Sequence, residues 1–258
     1  LLLSTSAWAG TDYGVGVSAR PYPLGAMFSG TIGQSFRLWS RDPMPGEEDG
    51  AKPTSSGAPW RYGFVRGSLT AQTIALVSRI STEVEFYPIS IFGIAAGTGA
   101  SWRSGGADAV FDCQSVQCGG VLWKSWLRAQ AVGAAGPVFF GTGARLDWFL
   151  ADRGHTGFVE ESSNLLGSGS ADQFFSTWLM TGVHFGSVWD SMAWVTYNRF
   201  LQTGALSFSS SLAVKKSFQA LPLSIMGGGG TFESSHQGLG PVFFLQLQWT
   251  GMPSPVLL

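Results

Sequence analysis

The sequence is short of charged residues. Asp, Glu, Lys and Arg make up only 12% of its 258 residues, about half of the ~25% that is usual in a soluble domain. Apolar residues make up 45% and aromatic residues 14%, so the chain is not of the disordered type. A globular protein in water needs more charge than this to cover its surface. The composition therefore predicts that something other than water covers part of the molecule.

An excess of basic residues is also missing. Lys and Arg number 15 against 16 Asp and Glu, which gives a formal net charge of -1, and the basic residues are not clustered. Neutralising a phosphate backbone requires an excess of Lys and Arg. Nucleic acid is therefore excluded as an expected partner.

Long apolar runs are absent as well. A transmembrane helix needs about 18 or more consecutive apolar residues, yet the most apolar windows, Ala129–Phe140 and Pro88–Ala96, are interrupted by Gln, Pro, Gly or Ser. The other structure that can span a bilayer is a closed β-barrel, because lipid offers no partner for an unpaired backbone N–H or C=O. Its sequence signature is a series of segments of about ten residues in which apolar and polar or small residues alternate.

The segment Pro137–Leu150 shows this alternation most clearly. Its apolar residues share one face, with only Thr142 breaking the run, while Arg145 and Asp147 share the other face. A lipid-facing Arg near the bilayer midplane would cost about 2 to 4 kcal/mol. We therefore expect the charged face to point into a barrel and the apolar face to point toward lipid.

Eleven segments fit the pattern, and a barrel normally closes with an even number of strands. We therefore predict an all-β fold, a transmembrane up-and-down antiparallel β-barrel of about 12 strands with a range of 10 to 14. A soluble β-sandwich also alternates, but it would carry charged outer faces. The candidate strands are Asp12–Arg20, Met27–Ser40, Trp60–Ser78, Thr82–Ala96, Val121–Val132, Pro137–Leu150, Phe174–Phe185, Val188–Leu201, Leu206–Phe218, Leu223–Phe232 and Val242–Trp249.

The alternation also assigns side chains to the two faces. Residues expected to face lipid are Val138, Phe140, Leu146, Trp148, Leu206, Phe208, Leu212, Phe243, Leu245, Leu247 and Trp249. Charged residues expected in the lumen are Glu83, Glu85, Lys124, Arg128, Arg145, Asp147, Asp190 and Lys215.

The connections predict a barrel with two different ends, long loops on one side and short turns on the other. The long polar loops are Arg41–Pro59, Arg103–Gly120 and Asp152–Gln173, and the short turns lie near Ala134–Pro137, Gly186 and Leu221–Pro222.

The first residues resemble the end of a secretory signal peptide. Leu1–Leu3 are apolar, and Ala7 and Ala9 are small residues at the two positions that signal peptidase reads. Cleavage would fall before Gly10; alternatively, these residues belong to the first strand. Both interpretations fit an exported protein.

We divide the chain into residues 1–9 as a signal remnant or extension, 10–249 as a single barrel and 250–258 as a C-terminal tail.

The two cysteines, Cys113 and Cys118, lie close together in one long loop. In an oxidising compartment such a pair predicts a disulfide. The chain-entropy scaling gives it a stabilisation of the folded loop of about 2 kcal/mol. Half of a zinc site is the alternative, but no His lies nearby and the sequence has no second Cys pair. We therefore predict no metal site and no cofactor.

Together with the near-terminal segment Val242–Trp249, VFFLQLQW, the alternating segments resemble the outer-membrane β-barrel proteins of Gram-negative bacteria as a general class. Barrels of that class end in an amphipathic strand closed by an aromatic residue, which the assembly machinery reads. Here the chain runs nine residues past Trp249. The resemblance implies export to the bacterial outer membrane, with outer-membrane lipid and lipopolysaccharide as its surroundings and other envelope proteins as candidate partners.

Candidates for catalysis are few. A hydrolase needs a nucleophile, a His base and an orienting acid, and the sequence has only His155, His184 and His236. His184 lies near Ser187, and His236 directly follows Ser235, but neither spacing matches a known motif. We predict no catalytic residue, which leaves an outer-membrane lipid-modifying hydrolase as the least favoured function.

The predicted lumen carries charges of both signs and four bulky rings, Tyr87, Trp126, Trp178 and Trp194. Such an interior predicts either a salt-bridged plug or a narrow passage, because small barrels are usually filled by their own side chains. Small residues in Gly227–Gly230 and Ala95–Gly99 would let another backbone approach the outer wall. The favoured hypothesis is a non-enzymatic anchor or structural subunit of a cell-envelope assembly; the alternative is a narrow channel for small solutes or apolar compounds.

Overall fold

The computed structural model is a closed antiparallel β-barrel of twelve strands with a separate three-stranded sheet. It describes residues 9–21, 24–40, 62–74, 77–104, 112–152, 154–160, 163, 165–218, 221–235 and 238–252. No helix able to cross a bilayer is found in this part of the chain. The barrel strands are β1 (Ala9–Pro21), β2 (Leu24–Ser40), β3 (Tyr62–Ile74), β4 (Val77–Ile89), β5 (Phe92–Arg103), β7 (Gly120–Ala135), β8 (Val138–Leu150), β11 (Ala171–Phe185), β12 (Trp189–Phe200), β13 (Leu206–Ser217), β14 (Leu223–Ser234) and β15 (Gly238–Met252); β6 (Val116–Gln117), β9 (Gly157–Glu160) and β10 (Leu165–Ser168) form the small sheet.

The barrel has a simple up-and-down order. Each barrel strand pairs with the next one along the chain, and β1 pairs with β15 to close the ring, with Val15 opposite Trp249. Closure leaves no strand edge with unpaired backbone groups. The prediction of an antiparallel barrel of about twelve strands is therefore confirmed.

The outer surface of this barrel is apolar. Leu212 is 69% exposed and Trp123 is 58% exposed, and all eleven residues expected to face lipid lie on the outer face. The barrel strands have 12 to 17 residues, which exceeds the 9 to 11 that a tilted strand needs to cross a bilayer. A closed barrel with this exterior is stable in lipid rather than in water. The chain is therefore a transmembrane β-barrel of the general outer-membrane class.

One predicted strand, Thr82–Ala96, is wrong. It contains a tight turn at Ser90 and Ile91, where Ile89 pairs with Phe92, so it forms the end of β4 and the start of β5. Odd-numbered residues face inward on both sides of this turn. The period-two pattern therefore continues through the turn without a break, which is why the alternation did not reveal it.

The extra crossing also corrects the predicted placement of the long loops. β1 begins and β15 ends at the same end of the barrel, which we call the terminal end, and residues 41–61 connect strands there. Connections 104–119 and 151–170 lie at the opposite end, which we call the loop end. The three long loops are therefore not on one side. The structure of Arg41–Pro59 itself lies outside the described residues.

The two long connections at the loop end form the small sheet, which we call the loop sheet. Strand β9 lies between β6 and β10, and its Phe158 packs with Leu165 against the inner wall of the barrel at Phe149, Phe174 and Phe200. Phe158 and Phe200 are at most 1% exposed. Burying one such side chain stabilises the folded protein by about 1.5 to 3 kcal/mol. The loop sheet is therefore anchored inside the barrel mouth.

The predicted disulfide between Cys113 and Cys118 is confirmed. It closes a turn in which the backbone N–H of Ser115 donates to the carbonyl of Asp112 at 3.1 Å, and Cys113 and Cys118 pack with Val116 of β6. The bond thus fixes the start of the loop sheet.

Candidate functional site

The lumen is the candidate functional site, and its wall has two unlike parts. Charged side chains cross the inner faces of β3, β4, β7 and β8 and reach Asp12 on β1; we call them the charge network. Small and polar residues line most of the inner faces of β12 to β15, which we call the open wall; four aromatic rings, those of Trp194, Phe200, Phe232 and Phe244, also lie there. Members of the charge network are Asp12, Arg66, Glu83, Glu85, Arg128, Arg145 and Asp147.

Arg66 is the centre of the first part of the network. Its Nε and Nη2 atoms donate to the two carboxylate oxygens of Asp12 at 2.8 and 2.5 Å, and its Nη1 donates to Glu85 at 2.6 Å. All three side chains are at most 10% exposed. Two carboxylates thus bind one guanidinium, and the bidentate pairing with Asp12 adds geometric specificity to the charge.

Arg128 continues the network along the wall. Its guanidinium donates to Glu83 and to Glu85, both at 2.7 Å. Glu83 also accepts the indole N–H of Trp126 at 2.6 Å. Glu85 therefore bridges Arg66 and Arg128, and the carboxylates and guanidinium groups alternate across β1, β3, β4 and β7.

A second ion pair adjoins this chain. Arg145 binds both oxygens of Asp147 on the same strand, and its guanidinium lies 4.4 Å from the centre of the Trp126 ring. Lys124 lies 5.6 Å from the same ring. Such cation–π contacts add to the stability of partly buried cations, so Trp126 joins the two ion-pair groups into one layer.

Glycine provides the space for these large side chains. At Gly33 on β2 a Cβ atom would lie 2.6 to 2.8 Å from the guanidinium of Arg66, which passes over β2 to reach Asp12. Likewise, a Cβ at Gly143 would lie 2.6 Å from the indole nitrogen of Trp178. Part of the high glycine content therefore reflects close contact inside the barrel.

The terminal end carries a smaller polar cluster. His184 Nδ1 lies 2.5 Å from Asp190 Oδ1, and Lys215 lies 3.8 Å from the other oxygen of that carboxylate. The ring of His184 also packs on Phe139 at 4.7 Å. His155 lies in the 151–170 connection, and His236 lies outside the described residues.

The eight charged residues expected in the lumen all lie on the inner face of the barrel. Six of them form ion pairs or ring contacts around the Trp126 layer, whereas Asp190 and Lys215 lie together at the terminal end. Sequence analysis missed Asp12 and Arg66, although both have the parity of the other inward residues on their strands. These eight residues are Glu83, Glu85, Lys124, Arg128, Arg145, Asp147, Asp190 and Lys215.

The ion pair between Arg79 of β4 and Glu160 of the loop sheet, 3.8 Å apart, was also missed. Glu160 is 2% exposed and accepts the backbone N–H and the hydroxyl of Ser163 at 2.8 and 2.7 Å. No local pattern predicts this pair, since it joins a loop residue to a strand about 80 residues away in the chain.

The open wall combines short side chains with the rings of Trp194 and Phe244 and the thioethers of Met192 and Met226. Ser209, Gly228, Gly230 and Gln246 point into the lumen and are partly exposed there. The run Gly227–Gly230, in which the sequence suggested an outer contact surface, is thus divided between the two faces of β14, with Gly228 and Gly230 inside. The side chains of the open wall are mostly shorter and less charged than those of the charge network.

No family model matches this sequence, and no curated protein matches it. Similar solved structures include the NanC porin, which is 10% identical with a TM-score of 0.49 over 92% of this chain and 98% of that chain. The KdgM porin is 7% identical with a TM-score of 0.45 over 93% and 98% of the two chains. An outer membrane channel from Pseudomonas putida F1 is 10% identical with a TM-score of 0.47 over 96% of each chain. These similarities transfer no substrate or role to this chain.

Proposed function

We propose that this barrel is a non-enzymatic, narrow channel for small solutes in the bacterial outer membrane, with its passage along the open wall. The observation that carries the proposal is the asymmetry of the lumen. One half holds the charge network, whereas the other half is lined by short or flexible residues, Ser209, Gly228, Gly230 and Gln246, beside the rings of Trp194 and Phe244, and all six are partly exposed.

The charge network supports the wall rather than a moving ion. Arg66 and Arg128 each contact two carboxylates, and Arg145 holds Asp147. Separating a buried pair of this kind costs about 3 to 5 kcal/mol, because it leaves an uncompensated charge. A solute would therefore pass beside the network without opening it, and a neutral solute would meet the lower barrier.

The loop sheet narrows one side of the barrel mouth. Its described contacts run from Arg79 on β4, through the Phe149 and Phe174 region, to Phe200 on β12. The contacts therefore reach β12, the first strand of the open wall, and the connection after it, where the hydroxyl of Thr203 donates to the carbonyl of Leu166 at 2.9 Å. The sheet thus directs entry toward β13 to β15.

Single-channel recording in planar bilayers tests the proposal. We expect small, steady conductance steps from the folded full chain. Ser209→Phe should reduce them because residue 209 points into the passage, whereas the matched variant Ser210→Phe should not, because residue 210 lies on the outer face of the same strand. Folding of each variant is checked by its heat-dependent migration in gels.

Absence of steps from folded wild-type protein would overturn the channel proposal and favour the closed-barrel interpretation. In that case a role as an envelope anchor, which stays an untested prediction, would be examined by co-purification in mild detergent. Equal steps from wild type and Ser209→Phe would also overturn the proposed path along the open wall.

A further inference from the structure

Among the described residues, an apolar cluster on the inner wall belongs neither to the charge network nor to the core beneath the loop sheet. Three of the six methionines of the sequence, Met180, Met192 and Met226, point inward together with Trp194 and Phe244. We call these five residues the methionine–aromatic patch. Met180 is paired with Trp194 across β11 and β12, and Met192 lies in the same row as Phe244, separated by Ala213 and Gly228.

The two rings of the patch touch across two intervening strands. The ring centroids of Trp194 and Phe244 are 5.1 Å apart with an interplanar angle of 54°, although β13 and β14 lie between their strands. This is possible because those strands contribute Ser211 and Gly228 at this height. A Cβ atom at Gly228 would lie 2.7 Å from Cζ of Phe244. The small residues therefore leave a shallow depression in the wall, and the two rings pack against each other there.

All five residues of the patch are partly exposed, although they lie inside the barrel. Apolar surface that stays in contact with water inside a concave wall is typical of a ligand site rather than of a packed core. Because the patch faces the lumen, a small molecule that enters the barrel can reach it.

The chemistry of the patch indicates the class of this molecule. Thioether sulfur atoms and ring faces both favour contact with aromatic rings. The nearest charged groups, Asp190 and Lys215, share a row with Met226, and Asp190 is engaged by both Lys215 and His184. At the edge of the patch Gln246 lies opposite Met226, and its side-chain amide is a hydrogen-bond partner for a hydroxyl or amide group of the bound molecule.

We propose that the methionine–aromatic patch binds small uncharged aromatic compounds that carry a hydroxyl group, such as phenols. This inference rests on the proposed channel in that it names the solute class the channel would select. Binding to the patch and passage through the barrel are nevertheless separate properties, and they are measured separately.

Isothermal titration calorimetry of the detergent-solubilised full chain, with 4-methylphenol as the probe, tests the binding. We expect Trp194→Ala and Phe244→Ala each to weaken binding about tenfold, as loss of one ring contact would. Trp194→Phe should retain binding because it keeps a ring. The control Trp189→Ala, on the outer face of the same strand, should bind as the wild type does.

The outcomes separate the two proposals. If wild-type protein shows conductance but does not bind 4-methylphenol, or if Trp194→Ala binds it unchanged, the inference is overturned and the channel proposal stands. Tighter binding of methyl glucoside than of 4-methylphenol would overturn it in favour of a sugar site. Ring-dependent binding without conductance would support the patch and overturn the channel.

Discussion

Replacing Gly33 by Ala tests whether the charge network depends on space provided by glycine. Gly33 lies on β2 between Asp12 on β1 and Ser68 on β3, and the guanidinium of Arg66 lies directly over it. An added Cβ would come within 2.6 to 2.8 Å of Nη2, Nε and Cζ of Arg66. The long side chain can move, but only by releasing the carboxylates that hold it.

The expected cost follows from the contacts that would be lost. Arg66 makes three hydrogen bonds to Asp12 and Glu85, at 2.5 to 2.8 Å. Losing one hydrogen bond to a charged group costs about 1.5 to 3 kcal/mol, and separating the buried pair completely costs about 3 to 5 kcal/mol. We therefore expect Gly33→Ala to lower the free energy of unfolding by about 3 kcal/mol.

Urea unfolding in lipid vesicles, followed by tryptophan fluorescence, measures this difference. Gly30→Ala is the matched control, because Gly30 lies on the same strand and no atom lies within 4 Å of its added Cβ; it should change stability by less than about 0.5 kcal/mol. In an Arg66→Ala background the second change at Gly33 should cost little, because the clash is gone. Equal losses for the two glycine variants, or strict additivity with Arg66→Ala, would refute the reasoning.

Two further predictions concern the outer face and the loop sheet. Leu212→Arg, in the middle of β13, should destabilise the barrel in vesicles by about 2 to 4 kcal/mol, whereas Leu206→Arg, at the end of the same strand, should cost at most about 1 kcal/mol. Cys113→Ser should leave urea unfolding of the barrel unchanged but speed protease cleavage within residues 112–119 about 30-fold, the equivalent of about 2 kcal/mol of loop stabilisation.

Each of these has its own control. Equal costs at Leu212 and Leu206 would contradict the assignment of the middle of β13 to the bilayer core. For the disulfide, Ser115→Ala serves as the matched variant, because it removes a hydroxyl bond to Asp112 at 2.9 Å in the same turn and keeps both cysteines. A cleavage rate that is the same with and without Cys113 would show that the disulfide does not order the loop sheet.

Local alternation was sufficient to predict most of the barrel. Whether a residue faces in or out depends only on its parity within a strand, so Arg145 and Leu146 were placed correctly from neighbours two residues away. The same rule failed at Ser90 and Ile91, because parity continues through that turn. Because this turn was missed, every later connection was predicted at the wrong end of the barrel relative to the loop at residues 41–61.

The apolar exterior, the inward charges and the Cys113–Cys118 disulfide follow from local patterns, because each depends on residues that are close together in the chain. Which charges meet depends on the folded barrel. Arg66 reaches Asp12 because β2 presents Gly33 between them, and Trp194 reaches Phe244 because β13 and β14 present Ser211 and Gly228. Such contacts depend on register and on the curvature of the closed sheet, which bring together side chains two or three strands apart.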